Sequence, residues 1–145
     1  TLAMNLPCTF GTEEQKKKWL MPLATGEKIG AFGLTEPQAG SDTSAIQTRA
    51  VLEEDEWVIN GTKQFITNAG LRHNSLVIIA AVTGVGEKGK KKASNFIIPT
   101  GVGGYTFGQK YKKMGYRSSE TRELIFDDCR IPKENILGNP DKGIS

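Results

Sequence analysis

A mainly β fold, an antiparallel β-barrel or sandwich preceded by a short helical segment, is what this 145-residue sequence predicts. Three observations lead there. After Lys28 the apolar residues come in short runs bounded by Gly, Asn, Asp and Pro, which is strand rather than helix patterning. Those runs follow one another at regular spacing with no helical stretch between them, the pattern of a barrel or sandwich. The residues ahead of Lys28 instead carry a helix-start signal.

The signal is "TEEQKKKWLMPLATGEK": Thr12 with Gln15 three residues on is a capping-box pattern. Trp19, Leu20 and Leu23 supply an apolar side, Gly26 marks the end, and Pro22 is expected to split the segment into a helix and a further turn. "QTRAVLEE" is the first clear hairpin arm, joined by the acidic turn Glu53 to Asp55 to "DEWVINGTKQFITN". Within the latter, Asn60-Gly61 predicts a second, two-residue hairpin because both central positions of such a turn need φ > 0. Together these runs predict a three-strand meander. "SLVIIAAVTG" and "SNFIIPT" read as buried strands, with "VGEKGKKKA" between them a hairpin tip or mobile loop. "YTFGQK" and "TRELIFDDCRIP" close the set, Asp127 and Asp128 reading as a strand end that starts a turn.

Composition narrows the function. With 24% charged and 37% hydrophobic residues and 17 Gly, the chain is globular and long enough for a real core. No apolar run approaches the roughly 18 residues that span a bilayer, and the N-terminus lacks signal-peptide order. Cys8 and Cys129 make neither a disulfide framework nor a metal site, so a reducing, cytoplasm-like compartment is expected. The net charge of +3 resides in Lys16–Lys18 and in Lys88 with Lys90–Lys92; without these seven lysines it would be −4. No broad basic face for nucleic acid results. The chain starts in what reads as mid-helix and stops at "GNPDKGIS" with no closing element, which predicts a piece of something larger.

No nucleophile–base pair presents itself. His73, the one histidine, reads as an exposed loop residue and makes no zinc site alone. No GxGxxG follows a strand to open a helix. Two polar strand ends remain. In "FGLTEPQAGSD", Thr35 offers a hydroxyl, Gly40 and Ser41 offer unobstructed backbone N–H groups, and Pro37 stiffens the path. In "QFITN", Phe65 and Thr67 lie two apart on one strand face. A ring beside a hydroxyl suits a flat heteroaromatic ligand. The plain alternative is that Thr35 caps a turn and Phe65 is core; composition and spacing alone favour it.

The segments "FGLTEPQAGSD", "NGTKQFITNAG" and "MGYRSSETRELIFDDCRIPKENILG", in that order, closely resemble the acyl-CoA dehydrogenase family over nearly the whole chain. The resemblance implies residues 1–27 as the tail of an N-terminal helical domain, 28–137 as the middle β-barrel domain, and 138–145 as the start of a linker to a C-terminal helical domain. It implies FAD as cofactor and an acyl-CoA as substrate, desaturated between its α and β carbons. Phe32, Leu34 and Thr35 would approach the pyrimidine side of the flavin, with Gly40 and Ser41 along it and Ser41 also at the acyl-CoA. Phe65 would cover one flavin face, where some relatives carry Trp, and Ile66 and Thr67 would follow, Thr67 near N5. Gly115, Arg117, Ser119 and Thr121 would shape the closing strands.

No catalytic residue is assigned, since the family's proton-abstracting carboxylate lies in the C-terminal domain. These residues alone are therefore expected to be inactive and to hold flavin poorly. Further implications are an electron-transfer flavoprotein as acceptor, a homotetramer or dimer, and residence in a bacterial cytoplasm or mitochondrial matrix. Other readings are an acyl-CoA oxidase or nitroalkane oxidase on the same scaffold, or a non-enzymatic β-barrel binding a partner through its lysine loop.

Overall fold

The computed structural model describes residues 2–141, the Lys88 side chain apart. Helix α1 (Leu2–Phe10) is followed by α2 (Glu13–Gln15), a π-helical turn (Lys16–Leu20) and α3 (Met21–Ala24). The capping box forms as predicted: Gln15 N–H donates to Thr12 Oγ1 (3.2 Å) and Thr12 N–H to Gln15 Oε1 (3.0 Å). Gln15 Nε2 donates in addition to the carbonyls of Glu134 (2.7 Å) and Ile136 (2.9 Å), so the cap also moors the helix to the sheet. Pro22 does not split the helix. The preceding turn widens, with the Met21 N–H reaching back to the Lys16 carbonyl, and helix continues through Ala24.

Eight strands form one sheet: β1 (Ile29–Gly33), β2 (Arg49–Glu53), β3 (Glu56–Thr67), β4 (Asn74–Val85), β5 (Lys91–Pro99), β6 (Tyr105–Lys110), β7 (Thr121–Pro132) and β8 (Ile136–Leu137). Their order is β6-β7-β3-β2-β4-β5-β8, with β1 also on β4. The expected antiparallel pairing holds except at β4, where β1 and, at one position, β2 pair in parallel. The sheet curls, because one core takes residues from all of β1–β7, including Ile59, Val77, Ile79, Phe96, Leu124 and Ile131. Trp57 of β3 and Phe96 of β5, with two strands between them in the sheet, meet edge-on with ring centroids 5.0 Å apart. On the outer face Leu76, Ile78 and Ile97 pack under Leu23 and Trp19 of the helical segment. Burial on both faces explains the unbroken apolar run of β4.

Two turn predictions are corrected. Asn60-Gly61 is no hairpin: β3 runs straight through it, and the single turn of a two-strand hairpin is at Glu54–Asp55, with Glu54 at φ 53°. Asp127 and Asp128 do not end a strand but lie inside β7, where the two face Asn60 across a β-bulge. Asp128 takes φ 47°, and its N–H donates to Asn60 Oδ1 (2.9 Å) while Asn60 Nδ2 donates to Asp128 Oδ1 (3.1 Å). The features that suit a tight turn, glycine freedom and a short amide side chain, suit a bulge equally well.

Gly61 is fixed there by space and backbone together. It sits at φ 148°, and a Cβ would come 2.5 Å from Thr48 Oγ1 and 2.7 Å from Thr48 Cα. The second of these atoms is backbone and cannot rotate away. Gly61→Ala should therefore lower stability by roughly 1–3 kcal/mol, read as a shift in urea midpoint. Combining it with Thr48→Ala should recover little, because the clash with the Thr48 backbone persists; full recovery would place the clash in the Thr48 side chain alone.

Candidate functional site

β1 delivers the polar segment Leu34–Asp42 to one end of the sheet, beside the second half of β3. The loop turns back at once: Glu36 N–H donates to the Ala39 carbonyl (2.9 Å) and Ala39 N–H to the Glu36 carbonyl (3.1 Å), with Pro37 and Gln38 at the corners. Gln64 N–H donates to the Thr35 carbonyl at 2.8 Å, which sets Thr35 next to the residue preceding Phe65. Further on, Asp42 caps a short 3-10 turn (Thr43–Ala45), accepting from Ser44 N–H (3.0 Å) and Ser44 Oγ (2.6 Å).

The fixture beneath this loop is a buried ion pair. Lys63 Nζ, on a residue with 0% exposure, donates to Glu36 Oε1 at 2.6 Å and to the Leu34 carbonyl at 3.1 Å. Glu36 also accepts from the N–H groups of Gln47 (2.6 Å) and Thr48 (3.1 Å) and from Gln38 Nε2 (2.5 Å). Burial by itself would raise the Glu36 carboxyl, but Lys63, Thr48 and Gln47 outweigh it and hold the group below its ordinary 4.5. Burial pushes the Lys63 ammonium down from 10.5, and Glu36 only partly restores it. Sequence reading named neither residue. Each is a charged side chain in a polar stretch, 27 positions apart, and nothing local marks them as partners.

The predicted site residues fall into two groups. Thr35 and the Phe65–Thr67 segment are brought together by the Gln64–Thr35 bond. Phe65 and Thr67 are both exposed and Ile66 between them is buried, as alternation requires. Phe65 is 58% exposed, so it is not core, and it sits at φ 61°, an outlier for a bulky side chain. Ile66 belongs to the main core and leaves only its backbone for a ligand. Phe32 and Leu34 are half-buried in the outer-face packing, Phe32 against the Leu76–Ile78 cluster and Leu34 against Ile46 and Ala80. Gly40 and Ser41 lie exposed beyond the turn, outside the bonds that tie Leu34–Glu36 to β3. His73 is exposed as predicted.

Residues 31–129 match the model of the acyl-CoA dehydrogenase middle domain. The chain belongs to the acyl-CoA dehydrogenase family. It is 51% identical over 143 residues to a short-chain specific acyl-CoA dehydrogenase of Clostridium acetobutylicum, covering 99% of this chain and 37% of that relative. The solved butyryl-CoA dehydrogenase of Megasphaera elsdenii superposes with a TM-score of 0.91 at 46% identity, over 98% of this chain and 37% of that one. A glutaryl-CoA dehydrogenase of Mycobacterium smegmatis, solved in complex with FADH2, superposes at 0.85 with 36% identity, over 97% of this chain and 34% of that one. The chain thus spans about a third of the length of these acyl-CoA dehydrogenases. No helix among the described residues is long and apolar enough to cross a membrane.

The ion pair makes stability depend on pH in one direction. The lowered Glu36 value contributes stability present above 4.5 and lost as pH falls through its folded value. The lowered Lys63 value is a cost at neutral pH that fades as pH rises toward 10.5, so both slopes run the same way. Below pH 4.5 the urea midpoint of the wild-type chain should fall more steeply than that of Glu36→Gln. Lys63→Met, which strands the carboxylate, should cost about 3–5 kcal/mol at neutral pH. Parallel pH curves for wild type and Glu36→Gln would remove the pair from this role.

Proposed function

We propose that this chain is the flavin-facing β-domain of an FAD-dependent acyl-CoA dehydrogenase that desaturates short-chain acyl-CoA thioesters. The observation that carries the reading is Phe65: a large ring, more than half exposed, held at positive φ beside the exposed Thr67 and next to the anchored Thr35. An uncovered aromatic on a strained residue is poor packing but a good platform for a flat ring system. The short-chain preference draws on the named specificity of the Clostridium and Megasphaera relatives.

FAD, when bound, supplies the acceptor for the hydride leaving the acyl β carbon. This chain's residues supply place and polarity. Phe65 would cover one face of the flavin; the hydroxyls of Thr35, Ser41 and Thr67 and the backbone near Leu34, Gly40 and Ile66 would offer hydrogen bonds. Each such bond contributes only about 1 kcal/mol net, so tight binding needs many together with the stacked area. Thr67 would favour negative charge on the flavin, and Ser41 would also meet the acyl-CoA. Phe32 and Leu34 back the loop from the outer-face packing.

Proton abstraction is assigned to a carboxylate outside these residues. Glu36 is the one buried carboxylate among the described residues, and both its oxygens are engaged. Residues 1–27 would close a helical domain, 28–137 form the β-domain, and 138–145, partly outside the described residues, lead onward. An electron-transfer flavoprotein as acceptor, a homo-oligomer, and a cytoplasmic or matrix location complete the proposal.

The test uses the full-length protein loaded with FAD under anaerobic conditions. Butyryl-CoA should bleach the visible flavin band at lower concentration than octanoyl-CoA or isovaleryl-CoA. Thr67→Val should slow that bleaching by roughly tenfold or more. Bleaching by none of the three would overturn the substrate class, and failure to take up FAD would overturn the cofactor site as well.

A further inference from the structure

We propose that Tyr111 is a positioning residue that clamps the Phe65 ring in the attitude in which it covers the flavin; this rests on the reading above that Phe65 lies at the flavin. The two rings are 5.1 Å apart between centroids at 40°. Their meeting does not follow from strand adjacency. Phe65 belongs to β3 and Tyr111 directly follows β6, and β7 runs between those strands. Strands two apart are separated by about 10 Å, so rings on them meet only when both sides are brought inward.

The sheet supplies that inward turn on both sides of one residue. Lys63 pairs with Leu124 and Ile66 with Arg122, which leaves Gln64 and Phe65 facing Glu123 alone. Phe107 pairs with Leu124 and Lys110 with Arg122, which leaves Gly108 and Gln109 facing the same Glu123. β3 and β6 therefore bulge at the same level of β7, and a bulge re-aims the side chains beside it. Gly108 permits the arrangement: a Cβ there would lie 2.5 Å from Glu123 Oε2 and 2.9 Å from Glu123 Cβ.

Tyr111 is the fixed half of the pair. Its N–H donates to the Thr121 carbonyl at 3.1 Å. Lys113 Nζ braces the same loop by donating to the Ser119 carbonyl (2.6 Å) and Thr121 Oγ1 (2.9 Å), and Lys110 bonds Glu120 at 2.9 Å. Phe65, mostly exposed and strained, is the half that needs holding. A ring free to change rotamer would lose that freedom on each binding event; one already leaning on Tyr111 has lost it beforehand.

The test compares Phe65→Ala, Tyr111→Leu, Tyr111→Phe and the double variant Phe65→Ala/Tyr111→Leu in the full-length protein. FAD dissociation constants of the apoprotein and the rate of dioxygen oxidation of the reduced flavin are the two readouts. Tyr111→Leu should weaken FAD roughly 3- to 10-fold and speed oxidation, while Tyr111→Phe stays near wild type because the ring remains. The double variant should bind FAD no more weakly than Phe65→Ala, since the clamp acts only through Phe65. Tyr111→Gln, a second change tolerated on an open loop, should repeat the Leu result and guards against a local packing effect. Wild-type affinity in Tyr111→Leu, or effects that multiply in the double variant, would overturn the clamp while leaving Phe65 at the flavin. Wild-type affinity in Phe65→Ala would overturn both.

Discussion

The ion pair between Lys63 and Glu36 is the constraint on which the rest of the site depends. Burying two charges costs several kcal/mol each, and a pair of well-packed apolar residues would serve stability as well or better. What apolar residues cannot do is satisfy the Leu34 carbonyl and the N–H groups of Gln47 and Thr48, all of which the pair takes up. Those groups belong to the end of β1, the entry to β2 and, through Lys63 itself, the middle of β3. One carboxylate thus fixes three chain segments in a single register. The loop beyond Glu36 then has no freedom in where it begins.

Against that fixed point the sheet stores local strain at two bulges. Phe65 and Asp128 both take positive φ, and both sit at bulges in the β3–β7 ladder. Asp128 recovers the lost ladder bonds through Asn60, so its strain is compensated by hydrogen bonds within the sheet. At Phe65 the bulge yields a ring contact with Tyr111 and an exposed face. Identical devices in one ladder therefore have different ends. One repairs the sheet, the other presents a side chain.

The strands that sequence made legible are those whose signal is local. Alternation, apolar runs and acidic turns placed β2, β4, β5, β6 and β7, and the Thr12–Gln15 box placed the start of α2. Asn60-Gly61 misled because a bulge asks for the same residues as a tight turn, and only the partner strand distinguishes them. The π-helical turn before Pro22 escaped for a similar reason: a helix can absorb a proline by widening, and widening has no sequence mark. Lys63 and Glu36 were illegible because a lone charge in a polar run reads as solvated; its burial depends on a segment 27 residues away. Phe65 was the reverse case, an aromatic in a β-run that spacing assigns to the core. Its exposure was foreshadowed only by the resemblance of its motif.

The charges in this domain and the chemistry proposed for it are kept apart. A base that removes a carbon-bound proton works best when its pKa can approach the operating pH. Glu36 is held the other way, below the ordinary carboxyl range, by donors on both oxygens, and a proton added to either oxygen would displace donors there. Lys63, with two of its protons given to Glu36 and Leu34, is equally committed. The predicted contact groups beside them are neutral, namely the Thr35, Ser41 and Thr67 hydroxyls, open backbone at Gly40 and one ring. The exposed Asp42 carboxylate is turned to capping the Thr43–Ala45 turn through Ser44. Such neutral groups suit the proposed role, which is to hold and orient an electron acceptor without competing for the substrate's proton. Buried charge sets the frame, and in the proposed reading neutral groups on that frame are the ones that would meet the flavin.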